Sequence, residues 1–223
     1  MEPSEIYAAC RTRLLTLATA LSPTDLDAAL AATPPWVVLD GYRHLAGVCS
    51  DMLDGVLDGA GSPPWTAAQL AARRDRTIGE VCAEWGGRGP DLDTRIAEAG
   101  LRMAFAPFDA WTHEQDIRAA AGVPTIRDDE IAAAVADLAL STFAGRYAST
   151  GAPAVRVVIG EKTHVLGEGE PDVVLSTSSF EIMRIIFGRR SRAQVEAADW
   201  SAHHAAVFDA IHLFDFPDAD IAD

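Results

Sequence analysis

The apolar residues of this 223-residue chain change their spacing at Gly122-Val123-Pro124. Upstream of that point they follow helical periods, as in Val37, Tyr42, Leu45, Val48, Cys49 and Met52, which form one stripe on an amphipathic helix. Downstream, GAPAVRVVIG, THVLG and PDVVLS are short β-branched runs with turn residues between them, the pattern of strands in a small sheet. The chain therefore reads as an all-helical portion, residues 1–125, followed by a connecting helix and a small α+β portion, residues 126–223.

The punctuation of the first portion predicts four helices. One runs from Pro3 to Ala31 with a break at Ser22-Pro23-Thr24, and a second opens at Trp36 after Thr33-Pro34-Pro35 and reaches Leu57. A third spans Thr66 to Trp85 with Thr66 as N-cap, GGRGP forms a loop, and a fourth covers Thr94 to Ala121, kinked at Pro107. In the second portion a helix from Asp128 to Ala148 precedes the strands. Ser178-Ser179 then caps a short helix, AQVEAA is strand-like, and a last helix spans Ser201 to Phe214.

Composition removes several functions. With 49% apolar residues there is enough material for a core. With 18 basic against 33 acidic residues, a net charge of −15, there is no basic footprint for nucleic acid. No apolar stretch is long enough for a membrane span, and MEPSEIYAACRTRLL lacks the layout of a signal peptide, so the expected location is the cytoplasm. The cysteines Cys10, Cys49 and Cys82 are odd in number and form no CxxC pair, which predicts free thiols. GxSxG, P-loop and GxGxxG patterns are missing, which disfavours nucleotide chemistry.

What remains is a set of metal-ligand residue types. Asp109 and His113 are four residues apart, hence on one helix face. A histidine from a neighbouring helix, His44, would complete a two-His, one-carboxylate set with an open position, as catalytic zinc is held. Asp40 lies one turn before His44 and Asp51 two turns after it; Asp40 is the expected acceptor for the far nitrogen of the ring. Asp116, three residues past His113, offers either support to that ring or a polar pocket wall. An Asp/His pair on a solvated helix face has the same spacing, so the residues alone leave both readings open.

Two segments together narrow the choice. TPPWVVLDGYRHLAGV resembles the W-x-x-x-D-x-x-x-H-L second-helix signature of the DinB-like, mycothiol-dependent maleylpyruvate isomerase family. DAWTHEQDIRAAAGVP resembles a fourth-helix signature of one branch, and SFEIMRIIFGRRSRAQVEAADW is similar to the family's sterol-carrier-like domain. The resemblance implies a DinB-like four-helix bundle followed by a small α+β sterol-carrier-like domain. It also implies a divalent ion, zinc or another, on His44, Asp109 and His113, where the family more often has glutamate at the carboxylate position. Arg189 matches the arginine of a "GR" turn and becomes the candidate catalytic residue, a clamp for a substrate carboxylate, with Arg190 and Asp116 as candidate cofactor-binding residues. Mycothiol is the implied thiol cosubstrate and a small electrophile the implied substrate, for a thiol transferase or an isomerase. A non-catalytic ligand-binding protein on the same fold and a metal-dependent hydrolase are the alternatives.

Overall fold

The computed structural model describes all 223 residues, which form two compact units, Met1–Thr125 and Ile126–Asp223. The N-terminal unit contains α1 (Pro3–Ala18), α2 (Pro23–Leu26), α3 (Val38–Asp54), α4 (Pro63–Ala72), α5 (Ile78–Ala99) and α6 (Phe105–Ala120). The four long helices form a bundle in which α1 and α3 each pack against both α5 and α6, while α4 lies on α3. Ile6, Leu14, Leu45, Leu92 and Ile96 are buried between them, each adding about 1.5–3 kcal/mol by leaving water. Two buried tyrosine hydroxyls are paired: Trp85 Nε1 donates to Tyr7 Oη at 2.8 Å, and Tyr42 Oη donates to the Leu14 carbonyl at 2.9 Å. No helix is long and apolar enough to cross a membrane.

The C-terminal unit contains α7 (Glu130–Ser149), β1 (Val155–Ile159), β2 (Lys162–Leu166), β3 (Val173–Thr177), α8 (Ser179–Ile186), α9 (Arg192–Glu196), β4 (Asp199–Trp200) and α10 (Ala205–Ala210). The sheet order is β2-β1-β3-β4, with β1 antiparallel to β2, parallel to β3, and β3 antiparallel to β4. Gly160, at φ 58°, opens the two-residue connection from β1 to β2, where a type II′ hairpin needs a positive φ. Beside the sheet, three guanidinium groups surround the Phe180 ring, with Arg127 at 4.2 Å, Arg184 at 5.8 Å and Arg190 at 6.0 Å from its centroid. Their charges meet carboxylates. Arg184 and Arg190 both pair with Asp223, at 2.8 and 2.7 Å, and Arg190 grips Glu181 through Nε and Nη2 at 2.8 and 3.0 Å.

The mixed architecture agrees with the sequence reading, but several boundaries differ for local reasons. GGRGP is not a loop; it lies inside α5, because Gly89 faces Arg11 and a side chain there would collide with it. Pro90, next in line, is exposed, and its missing N–H removes one helical hydrogen bond without ending the helix. The helix expected over Thr66 to Trp85 is two helices, because Thr77 and Glu80 form a capping box that starts α5 afresh. Thr94 therefore belongs to α5, and a 3₁₀ turn over Gly100–Met103 separates it from α6. Pro107 consequently falls in the first turn of α6, where its missing N–H breaks no hydrogen bond and no kink arises. AQVEAA is not a strand: Ser191 and Gln194 form another capping box and initiate α9. The last helix is short, Ala205–Ala210, and the first ends at Ala18, with the four-residue α2 capped by Ser22 after it.

Two expectations follow. Gly89→Ala would place a methyl group 1.9 Å from Nη1 of Arg11, which pairs with Asp93 at 2.6 Å; displacing that guanidinium should cost about 1–3 kcal/mol in urea-unfolding free energy. For Glu181, burial pushes the carboxyl up, but hydrogen bonds from Arg190 and the charges of Arg190, Arg127 and Arg184 outweigh it, so its pKa lies below the ordinary 4.5. A depressed carboxyl stabilises the fold above pH 4.5 and loses that contribution as pH falls through its folded value. The difference in unfolding midpoint between wild type and Glu181→Gln should therefore be largest near neutrality, and thermal scans at decreasing pH should show it shrinking to nothing.

Candidate metal centre

The seam between α3 and α6 brings three ligand types together. His44 projects from the middle of α3, and Asp109 and His113 project from one face of α6, a helical turn apart. All three side chains are buried, at 4%, 9% and 5% exposure, so bulk water does not dilute their electrostatics. His44 Nε2 lies 3.5 Å from Oδ1 and 3.4 Å from Oδ2 of Asp109. His113 Nε2 lies 3.5 Å from Oδ1 of the same carboxylate. One ligand atom from each residue lies within 4.8 Å of the others.

These spacings are long for hydrogen bonds, which centre near 2.9 Å. They match ligands sharing an ion. Bonds of about 2.0–2.1 Å at tetrahedral angles put neighbouring donor atoms about 3.3 Å apart. The donor set also fits: two imidazoles and one carboxylate leave one tetrahedral position open. The residues present thus fit a zinc-like divalent ion.

Each histidine has a polar side chain behind it. His44 Nδ1 is 2.8 Å from Oε1 of Gln69 on α4, and Gln69 Nε2 donates to Asp51 on α3 at 2.7 Å. The Asp40 carboxylate does not take this part. It accepts from the Val37 N–H at 3.2 Å and pairs with Arg43 at 3.0 Å, closing the first turn of α3. His113 Nδ1 faces Asp116 Oδ2 at 3.4 Å, so Asp116 stands behind a ring rather than out in a pocket. Orientation by an acceptor at the far nitrogen is the usual support of metal-bound imidazole.

Glycines permit the required approach. On α3, Gly41 faces Ile117 of α6, and a Cβ there would lie 3.1 Å from its Cδ1. Gly47, one turn past His44, faces Gln69, and a Cβ there would lie 2.6 Å from that residue's own Cβ. One residue past His113, Glu114 ties α6 to α1 through Arg13 at 2.7 Å and receives Arg118 Nε at 3.0 Å. Burial raises the Glu114 carboxyl's pKa against the pull of both cations.

Aromatic rings wall the site. Trp36 stacks on His113 at 5.9 Å and 21° and leans on His44 at 5.0 Å, while Trp65 meets His44 edge-on at 6.4 Å. Of these supports, Asp51 and Asp116 carried a sequence signal in their spacing from the histidines, and Trp36 in the second-helix motif it opens. Gln69 and Trp65 reach the site through α4, and nothing in their local pattern marks them.

The remaining predicted residues belong to the C-terminal unit. Arg189 is buried, its Nη1 donating to the Phe187 carbonyl at 2.6 Å. Arg190 is committed to Glu181 and Asp223, and lines a cavity of about 560 Å³ with Ser176, Thr177, Ser178 and Asp199.

Among solved structures, the chain is similar to the mycothiol-dependent maleylpyruvate isomerase, with a TM-score of 0.52 and 12% identity over 84% of this chain and 88% of that one. It is equally similar to a histidine-to-alanine mutant of that isomerase, with a TM-score of 0.51, 12% identity and the same coverage. No family model and no curated protein sequence matches the chain. The class that fold and site define is a helical bundle with a buried His-Asp-His cluster, followed by an α+β unit. Its fold is that of the mycothiol-dependent maleylpyruvate isomerase.

Gly47→Ala tests the packing that seats Gln69. The added methyl must push Gln69 off His44, and the unfolding free energy should drop by about 1–3 kcal/mol; an unchanged value would mean α4 moves away without loss.

Proposed function

We propose that the chain is a divalent-metal-dependent enzyme in which a low-molecular-weight thiol, mycothiol, attacks a small electrophilic substrate. The observation that carries this reading is the spacing of His44, Asp109 and His113, near that of ligands around one tetrahedral ion, in a fold whose solved neighbours are described as mycothiol-dependent. A divalent ion at these residues supplies the chemistry of a Lewis acid, favouring the thiolate over the thiol at neutral pH.

The chain's own residues supply the rest. His44 and His113 offer imidazole nitrogens, and Asp109 offers the one carboxylate in the ligand set. Gln69 keeps the His44 ring turned inward, and Asp116 lies behind the His113 ring. Trp36 and Trp65 exclude water from the ligands' flanks, which strengthens every charge interaction among them. Arg189 of the C-terminal unit, with its planar fork, is proposed as a carboxylate-binding residue, and Arg190 as a further ligand-binding residue of that unit.

For an isomerisation, the thiolate sulfur forms a C–S bond to one carbon of a cis double bond while the π pair moves onto the substrate. Rotation about the resulting single bond and expulsion of the thiolate return the double bond in trans, with no atom gained or lost. For a transfer, a proton quenches the adduct and the C–S bond is kept. The site is expected to operate in the cytoplasm.

Two measurements test the proposal. Protein purified without a histidine tag should carry about one equivalent of divalent metal by elemental analysis, and His113→Ala should carry far less. Equal, sub-stoichiometric metal in both would refute the ligand set. With metal present, millimolar mycothiol should raise the thermal unfolding midpoint, since a ligand that binds only the native state stabilises it. No shift would favour the hydrolase reading, in which the same open position activates water.

A further inference from the structure

Asp51 is not in the ligand set, yet it is the end of a proton-ordering chain that runs into it. Its carboxylate only accepts hydrogen bonds, so the contact at 2.7 Å must be a donation from the Gln69 amide nitrogen. That settles which way the Gln69 amide points, and its carbonyl oxygen is the atom facing His44 Nδ1 at 2.8 Å. A carbonyl has no proton to give, so Nδ1 must carry one. In the neutral ring the other nitrogen, Nε2, is then the one with a lone pair, and it faces Asp109 and His113.

In the neutral ring two acceptors compete for one proton. Asp109 lies 3.4 Å from Nε2 and favours the opposite tautomer, with an N–H aimed into the ligand cluster. Gln69 wins on distance, and at 2% exposure it has no bulk water to satisfy its carbonyl instead. Its advantage lasts only while the amide stays oriented. Rotated by half a turn, it would offer an N–H to Nδ1, and the proton would pass to Nε2, where it blocks ligation.

We propose that Asp51 is a positioning residue which, through Gln69, holds His44 in the tautomer able to ligate a cation. The part concerning ligation rests on the metal reading above; the tautomer itself does not. Asp51 sits seven residues past His44 on the same helix, so α3 holds both ends of the chain and α4 supplies the middle.

A polarity swap tests this with the full-length protein and Co²⁺ as the probe, read by its affinity and visible absorption. Asp51→Asn keeps the shape but lets either end of its amide face Gln69, so the orientation is released. Co²⁺ binding should weaken on the order of tenfold, the range for loss of such support. The double variant Asp51→Asn with Gln69→Glu replaces the middle by an acceptor that takes a hydrogen bond from both neighbours. It should recover wild-type affinity and spectrum.

A purely structural role for Asp51 predicts no such recovery. Wild-type affinity in the single variant, or no recovery in the double variant, overturns the proposal. The imidazole ¹⁵N shifts of the metal-free protein give an independent reading: His44 should be protonated at Nδ1 in wild type and in the double variant, and shift toward Nε2 in Asp51→Asn. If Co²⁺ binds wild type and His113→Ala alike, the metal reading fails, while the ¹⁵N result still decides the tautomer.

Discussion

The close approach of α4 and α6 to α3 is the constraint on which the rest of the site depends. His44 can meet Asp109 only if α6 lies close, and it can meet Gln69 only if α4 does. Gly41 and Gly47 stand on either side of His44 and remove the side chains that would hold those helices away. A carboxylate as short as aspartate at position 109 makes the requirement stricter, since it reaches one methylene less than glutamate. The bundle meets it: the aspartate oxygens come within 3.5 Å of both histidines. Packing at small residues thus sets a chemical distance, and the donor geometry is a property of helix contact before it is a property of the ligands.

How much of this could be read in advance depended on whether the signal was local. Asp109 and His113 are four residues apart on one helix, so their shared face was legible, and Asp116 followed from the same turn. His44 was legible as a ligand type on another helix, and the resemblance of its segment supplied the pairing. Gln69 was not legible. Its partners lie 25 and 18 residues away in sequence, and the sequence WTAAQLAA shows nothing but helix propensity around it. Asp40 drew attention because it precedes His44 by one turn, but an aspartate three residues into a helix has its own backbone to cap.

The misplaced boundaries have the same origin. GGRGP reads as a loop because its three glycines and its proline disfavour helix, which a single arginine does not offset. Inside α5 one of those glycines gives Arg11 room to pair with Asp93, so a contact 82 residues distant overrides the local preference. Capping boxes were the opposite case. Thr77 to Glu80 and Ser191 to Gln194 are local signals that do fix helix starts, and apolar spacing alone passes over them.

Charge is distributed by the same logic. The chain has one lysine, Lys162, and its other 17 basic residues are arginines, against 33 acidic ones. Five arginines, at 11, 73, 184, 189 and 190, are buried, and the first three reach carboxylates, as does Arg190. Arginine suits such places because its planar fork makes two directed bonds and its charge survives burial, whereas a buried lysine readily gives up its proton. Lys162 accordingly lies on the surface, paired with Asp137. Cations used as interior struts leave the exterior acidic. Such a surface repels polyanions.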